Sequence, residues 1–237
     1  MKHRIWELDV LRGIFILGMV IVHCIYDLQT FLNIPVLSGS ELFSFIQDWG
    51  GVLFFLISGI CVTLGSRSIR RGLIVFGCGL VVSAVTYGMY ALGFAGKGMI
   101  IYFGVLHCLG ACMLLWPLFK RIPWQVLIPL SALLIYIGLD LEPYRFDTGL
   151  WLVPLGFRPV AFYSSDYFPL LPFLGFFLLG VILGKTLYRK QETLFPKVSP
   201  KNIFVRALSF VGRWSLPIYM LHQPILTGLI YLLEVLL

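Results

Sequence analysis

Charged side chains are scarce in this 237-residue sequence, where Asp, Glu, Lys and Arg together make up 12%. A soluble globular domain carries about 25% charged residues, which keep its surface in water. Hydrophobic residues make up 59%, and the mean hydropathy is +0.93. The shortage of charge therefore excludes an ordinary soluble domain and indicates a surface that faces lipid.

Cysteine is missing from the polar loops. All five cysteines lie within apolar runs, at positions 24, 61, 78, 108 and 112. This placement excludes a disulfide framework and indicates reduced residues that pack in the interior. His107 and Cys108, with Cys112 one turn on, lack nearby carboxylates and a second Cys/His pair, so we predict no metal site. The net charge of +7 is explained below by membrane topology, and no nucleic-acid partner is expected.

Seven apolar segments have the length that a membrane-spanning helix needs. They cover approximately residues 8–29, 44–66, 71–94, 99–119, 123–140, 169–188 and 213–236. No segment alternates like a strand over a length that would form a barrel, and no internal repeat is present. The predicted fold is therefore all-α, a polytopic bundle of about seven transmembrane helices that forms one domain over residues 1–237.

The distribution of positive charge predicts the orientation. With the N-terminus in the cytoplasm, fifteen of the 18 Lys and Arg residues lie on the cytoplasmic side: Lys2, Arg4, Arg12, Arg67, Arg70, Arg71, Lys120, Arg121, Lys185, Arg189, Lys190, Lys197, Lys201, Arg206 and Arg213. Lys97, Arg145 and Arg158 lie outside. The positive-inside rule thus places the N-terminus in the cytoplasm and the C-terminus outside. An uncleaved first helix and short loops favour a prokaryotic plasma membrane.

The first predicted helix carries the most ionisable residues, and such residues are costly in a membrane. Arg12 and His23 are eleven residues apart, so they share a face and are separated by about 16 Å along the helix. Asp27 follows His23 by one turn. Its carboxylate could orient the imidazole and leave the other ring nitrogen as a general base. The alternative roles are a helix-anchoring pair of Asp9 with Arg12 and a backbone-bonded His23.

Two further histidines lie within predicted spans. His107 falls near the depth expected for His23, and His222 falls nearer the inner half of the last span. Each could line an internal cavity or form an interhelical hydrogen bond, and for His107 the two alternatives are equally supported.

The outer connection 141–168 is rich in aromatic residues and proline, and it also contains Arg158 and Asp166. This composition fits either an interfacial aromatic belt or a lid over the bundle.

Four stretches carry a resemblance to a known family. The Leu-Arg-Gly start of the first helix, with Arg12 and His23 in an Arg-x10-His pair, resembles the first helix of transmembrane acyltransferases. The segment from Ser215 to Pro224 resembles a late helix of that superfamily, with Tyr219, His222 and Pro224 as the matching residues. The run 166–175 (Asp-Tyr-Phe-Pro-Leu-Leu-Pro-Phe-Leu-Gly) resembles the signature of the heparan-α-glucosaminide N-acetyltransferase-like family, as does the stretch 57–59 leading into Arg67.

The resemblance implies an enzyme that takes an acetyl group from cytosolic acetyl-CoA and delivers it to a sugar or other polar acceptor on the outer side. It implies His23 as the catalytic residue, as base or acyl carrier, with Arg12 near the acyl donor. Asp27 is the predicted partner of His23.

Further binding roles follow from charge and position. Arg67, Arg70 and Arg71 form a basic cluster that could bind the phosphates of the cofactor, with His222 as a further candidate on the donor side. His107, Arg158 and Asp166 are candidates for contacting the acceptor. Membrane lipid and a small-molecule or glycan acceptor are the expected partners, and a homo-oligomer is compatible with the sequence.

Two other functions are compatible with the same residues. Intramembrane His and Asp also form proton relays, so the first alternative is a proton-coupled small-molecule transporter. The absence of two related halves argues against it. The second alternative is a non-catalytic membrane protein that binds a lipid or a partner.

Overall fold

The computed structural model describes residues 5–37 and 39–236, so Lys2 and Arg4, two cations used above for the topology, lie outside the described residues. Over these residues the chain forms eight α-helices: α1 (Trp6–Phe31), α2 (Glu41–Leu64), α3 (Ser68–Ala91), α4 (Val105–Phe119), α5 (Trp124–Leu141), α6 (Leu170–Thr186), α7 (Ile203–Arg213) and α8 (Ser215–Leu236). Two short 3-10 helices lie at Lys97–Met99 and Leu150–Leu155. Within the described ranges, extended pairing is limited to two isolated bridges, so the all-α prediction is confirmed.

Each of the seven predicted spans contains a helix. Five helices in the described part of the chain are long and apolar enough to cross a membrane: α1, α2, α3, α5 and α8. The other two, α4 and α6, are apolar but have only 15 and 17 residues. The chain is therefore an integral membrane protein with several helical spans.

The predicted span 99–119 begins too early. Residues before Val105 are not α-helical, because Phe103 is extended and pairs with the end of the outer connection. The amide of Phe168 donates to the carbonyl of Phe103 at 3.0 Å. A long-range pairing thus replaces the first turn and a half that hydropathy alone predicts as helix.

Helix α7 is not predicted from the apolar segments, because its eleven residues are too short and too polar to span a membrane. Asn202 caps it by accepting a hydrogen bond from the amide of Phe204 at 2.9 Å. The helix packs antiparallel on α1 through glycines, since a Cβ at Gly13 would overlap the carbonyl of Leu208 and one at Gly212 that of Asp9. Such close backbone contact is typical of membrane helices.

The chain forms two compact units. The first consists of the residues up to Phe54 and those from Gln191 onward, and in it α1 packs against both α7 and α8. Glu7, only 4% exposed, fixes the start of this unit's second segment. Its carboxylate accepts hydrogen bonds from the hydroxyl of Thr193 at 2.9 Å and the amide of Leu194 at 2.8 Å.

The second unit is Phe55–Lys190, in which α5 packs on α6, α3 on α4, and α4 on α6. The end of α2 approaches α6 closely at glycines. A Cβ at Gly59 would overlap the carbonyl of Phe177, and one at Gly180 would overlap that of Leu56. These glycines permit backbone contact that larger residues would prevent.

Candidate functional site

Two histidines face each other in the first unit. The rings of His23 on α1 and His222 on α8 have centroids 4.9 Å apart and cross edge to face at 80°. His222 is only 9% exposed. The two rings therefore lie at one level, and the prediction that His222 lies deeper toward the cytoplasm than His23 is wrong.

Backbone carbonyls fix the tautomers of both rings. Nδ1 of His23 lies 3.0 Å from the carbonyl oxygen of Met19, and Nδ1 of His222 lies 2.6 Å from that of Tyr219. A carbonyl oxygen can only accept a hydrogen bond, so each Nδ1 carries the proton. In the neutral rings each Nε2 then has its lone pair available, as a general base or nucleophile requires.

Asp27 is held by α8 rather than by His23. Both of its carboxylate oxygens accept hydrogen bonds from the side-chain amide of Gln223, at 3.1 and 2.9 Å, and the residue is 1% exposed. The predicted hydrogen bond between Asp27 and His23 is not observed among the described residues, because the Met19 carbonyl one turn earlier takes the Nδ1 proton. Asp27 therefore cross-links α1 to α8 one turn beyond the two histidines.

Gln223 is the site residue that sequence reasoning missed. It sits directly after His222 in the segment that carries the resemblance, and its position next to a candidate site residue was the available signal. A buried carboxylate within the membrane needs a donor, and Gln223 supplies it.

Two buried acceptors at this site lack a hydrogen-bond donor among the described residues. They are Nε2 of His222 and the side-chain oxygen of Gln223. Buried polar atoms in proteins are nearly always paired, and an unpaired one is costly. A ligand N–H or O–H entering between α1 and α8 could donate to these atoms. The arrangement therefore suits a substrate that carries an amine or hydroxyl group.

Arg12 lies in the second turn of α1, nearer the start of the helix than His23. Its guanidinium is 3.8 Å from the carboxylate of Asp9, and Arg12 is partly exposed whereas Asp9 is buried. The pair is the helix-anchoring arrangement considered for these residues, and it leaves part of the Arg12 side chain accessible.

The three arginines of the predicted basic cluster lie at one helix start in the second unit. Arg67 immediately precedes α3, and Arg70 and Arg71 lie in its first turn. All three are exposed, and no acidic residue lies in that turn. A helix N-terminus is itself positively polarised, so an anion would be favoured there.

His107 has a structural position in the second unit. Its Nδ1 accepts a hydrogen bond from the amide of Gly104 at 3.2 Å, so Nε2 carries the proton and faces the Ser83 hydroxyl at 3.3 Å. Both ring nitrogens are thus engaged, and the residue is 3% exposed. Of the two alternatives for His107, these contacts favour the hydrogen bond that joins α3 to α4.

The two acceptor-binding candidates of the outer connection also have protein partners. Asp166 accepts a hydrogen bond from the amide of Val105 at 3.1 Å and so caps α4. Arg158 donates to Glu142 at 2.9 Å, and its guanidinium lies 5.9 Å from the centre of the Tyr167 ring. Burial raises the pKa of Tyr167, which keeps its hydroxyl protonated to donate to the carbonyl of Val153 at 2.8 Å.

Replacement of Asp166 separates capping from ligand binding. We expect Asp166→Ala to destabilise the protein by about 1–2 kcal/mol, since α4 loses its cap. Asp166→Asn keeps a side-chain oxygen for the Val105 amide and should retain most of that stability. Thermal unfolding in detergent measures both variants. If Asn were as destabilising as Ala, the negative charge rather than the cap would account for the role of Asp166.

Comparison with known proteins identifies one family. A family model described as "Heparan-alpha-glucosaminide N-acetyltransferase, catalytic" matches residues 4–224, which is most of the chain. No curated protein and no solved structure matches this chain.

Proposed function

Since the chain belongs to the heparan-alpha-glucosaminide N-acetyltransferase catalytic family, we propose that it transfers the acetyl group of cytosolic acetyl-CoA to an amine or hydroxyl of a glycan or small molecule on the outer side. The observation that carries this proposal is the pair His23 and His222. Their Nδ1 protons are held by backbone carbonyls, so both Nε2 lone pairs are available at one level of the membrane.

The chemical step needs one base and one acid. The acceptor nitrogen or oxygen attacks the thioester carbonyl carbon, and its proton passes to Nε2 of a histidine. The C–S bond then breaks, and the CoA sulfur takes that proton from the imidazolium as it leaves. His222, whose buried Nε2 has no donor among the described residues, suits the base for the acceptor. His23, whose ring lies against that of His222, suits the thioester side. It either relays the proton from His222 Nε2 to the leaving sulfur or acts as a nucleophile that carries the acetyl group, in which case His222 returns the proton to the sulfur.

The donor's phosphates need cations on the cytoplasmic side. Arg67, Arg70 and Arg71 supply three exposed guanidiniums at a helix start, and Arg12 supplies a partly exposed one on the helix of His23. Guanidinium forks bind phosphate oxygens in pairs, which makes arginine better suited to this role than lysine. We propose these residues as contacts of acetyl-CoA, in the plasma membrane of a prokaryotic cell.

Acetyl-CoA-dependent transfer tests the proposal. The full chain, purified into lipid nanodiscs, is mixed with radiolabelled acetyl-CoA and glucosamine, a glucosaminide or a neutral sugar. We expect label in the amine acceptors and stoichiometric release of free CoA thiol, because the family name points to a glucosaminide amine. Acetyl-CoA should also raise the thermal unfolding temperature. Acceptor flux into liposomes in the absence of CoA, with no label transferred, would indicate a transporter instead.

A further inference from the structure

A groove of about 620 Å³ runs along one face of α7 and against the start of α1, entirely within the first unit. Arg206 and Arg213 line it with positive charge, and Trp6 and Phe210 line it with aromatic rings. We call it the α7 groove. Pockets of about 300–1,000 Å³ are of the size that holds small-molecule ligands. The residues named have no part in the acyl-transfer site described above.

The spacing of the lining residues puts their side chains on one face. Arg206, Phe210 and Arg213 stand at i, i+4 and i+7 of α7, so the backbone positions of the two arginines are two turns and about 10.5 Å apart along the axis. Both arginines are exposed, and neither forms an ion pair with another described residue. The guanidinium of Arg213 lies 6.0 Å from the centre of the Phe210 ring, a cation–π contact.

One acidic residue also lines the groove. Asp9 is 5% exposed, and its carboxylate lies 3.8 Å from the guanidinium of Arg12. Since Arg12 offsets its charge, the two arginines of α7 leave the groove positive.

The aromatic rings are held by further aromatic contacts. Trp6 packs on Phe195 with centroids 6.5 Å apart, and Phe210 packs on Trp214 with centroids 6.2 Å apart. A fixed ring offers a face on which a planar base can stack at little entropic cost. Positive charge beside fixed aromatic faces is the combination that binds a nucleotide.

We infer that the α7 groove binds a phosphate ester. The guanidiniums of Arg206 and Arg213 hold phosphate oxygens, and Trp6 and Phe210 face the organic part of the ligand. Two sources share this chemistry: the nucleotide end of a CoA-type donor and the head group of an anionic phospholipid. The first source rests on the proposed function. If the ligand is the CoA-type donor, the α7 groove and the cluster at Arg67, Arg70 and Arg71 are alternative sites for the donor's phosphates.

Binding is measured on the full chain in nanodiscs, without any acetyl transfer. In phosphatidylcholine discs the probes are adenosine 3′,5′-bisphosphate and CoA. A second set of discs contains phosphatidylglycerol as the probe. Its binding is measured as the rise in the protein's unfolding temperature at low salt. We expect the double variant Arg206→Gln/Arg213→Gln to raise the Kd of the nucleotide about tenfold or more. Arg189→Gln, an exposed arginine outside the groove and the basic cluster, should leave it unchanged.

Phe210→Leu separates the two sources. It should weaken nucleotide binding but not phosphatidylglycerol stabilisation, because only a base stacks on the ring. Arg206→Lys/Arg213→Lys keeps the charge and guards against misfolding of the Gln double variant. If the Gln double variant loses stabilisation by phosphatidylglycerol but binds the nucleotide probes as the wild type does, the groove binds lipid. If the folded Arg206→Gln/Arg213→Gln variant binds both probes as the wild type does, the inference is overturned. Nucleotide binding that persists in a chain unable to transfer acetyl would instead count against the proposed function.

Discussion

His222→Asn is expected to lower the rate of acetyl transfer by about 10²- to 10⁴-fold, the range found for loss of a general acid or base. Asparagine retains an N–H near the position of Nδ1, so the hydrogen bond to the carbonyl of Tyr219 can be kept. It removes the Nε2 lone pair, the group assigned as the base. The initial rate of CoA release with a glucosamine acceptor measures the effect.

The controls separate chemistry from folding. Tyr231→Phe changes an exposed residue on the same helix and should keep full activity. The unfolding temperature of His222→Asn should stay close to that of the wild type. His23→Asn, designed in the same way around the carbonyl of Met19, should also lose activity. A His222→Asn protein that transfers acetyl at the wild-type rate would remove this histidine from the mechanism.

A comparison of His23 with Gln223 shows what the sequence could predict about the site. His23 was found because an imidazole inside an apolar run is costly and stood eleven residues from Arg12. The contact between His23 and His222 was not predictable, since it depends on how α8 is placed beside α1. The role of Gln223 depends on the same placement. The position of Gln223 next to His222 marks it as a neighbour of the site, but the role of a neutral amide in a membrane helix becomes clear only when its partner, here Asp27, is known.

The fold shows a similar division. Hydropathy located all seven apolar segments, because each spanning helix must satisfy its own backbone within the lipid. It did not locate α7, which is too short to span a membrane and packs closely on α1 at Gly13 and Gly212. Nor could it show that residues 100–104 are not helical, because the partner of Phe103 at Phe168 lies more than sixty residues away. Long-range pairing and short packed helices leave little trace in a local hydropathy pattern.

Gly59→Ala is expected to destabilise the protein by about 2–3 kcal/mol, although alanine is the better helix former. An added Cβ would overlap the backbone carbonyl of Phe177 on α6, and a backbone atom cannot be moved aside by a change of rotamer. The helices would have to separate and lose the packing around Phe177 and Val181, two fully buried residues. Reversible unfolding in mixed detergent micelles measures the loss.

Gly77→Ala is the matched control, because Gly77 also lies inside a helix but a Cβ there meets nothing within 4 Å. Without a clash, only helix propensity changes, so this variant should be more stable than the wild type by about 0.5–1 kcal/mol. The two substitutions are chemically identical, and the expected changes in stability have opposite signs. Since α2 and α6 carry no predicted catalytic residue, the loss in Gly59→Ala would report helix packing alone. Equal effects of the two variants would mean that α2 does not approach α6 as closely as the backbone geometry at Gly59 requires.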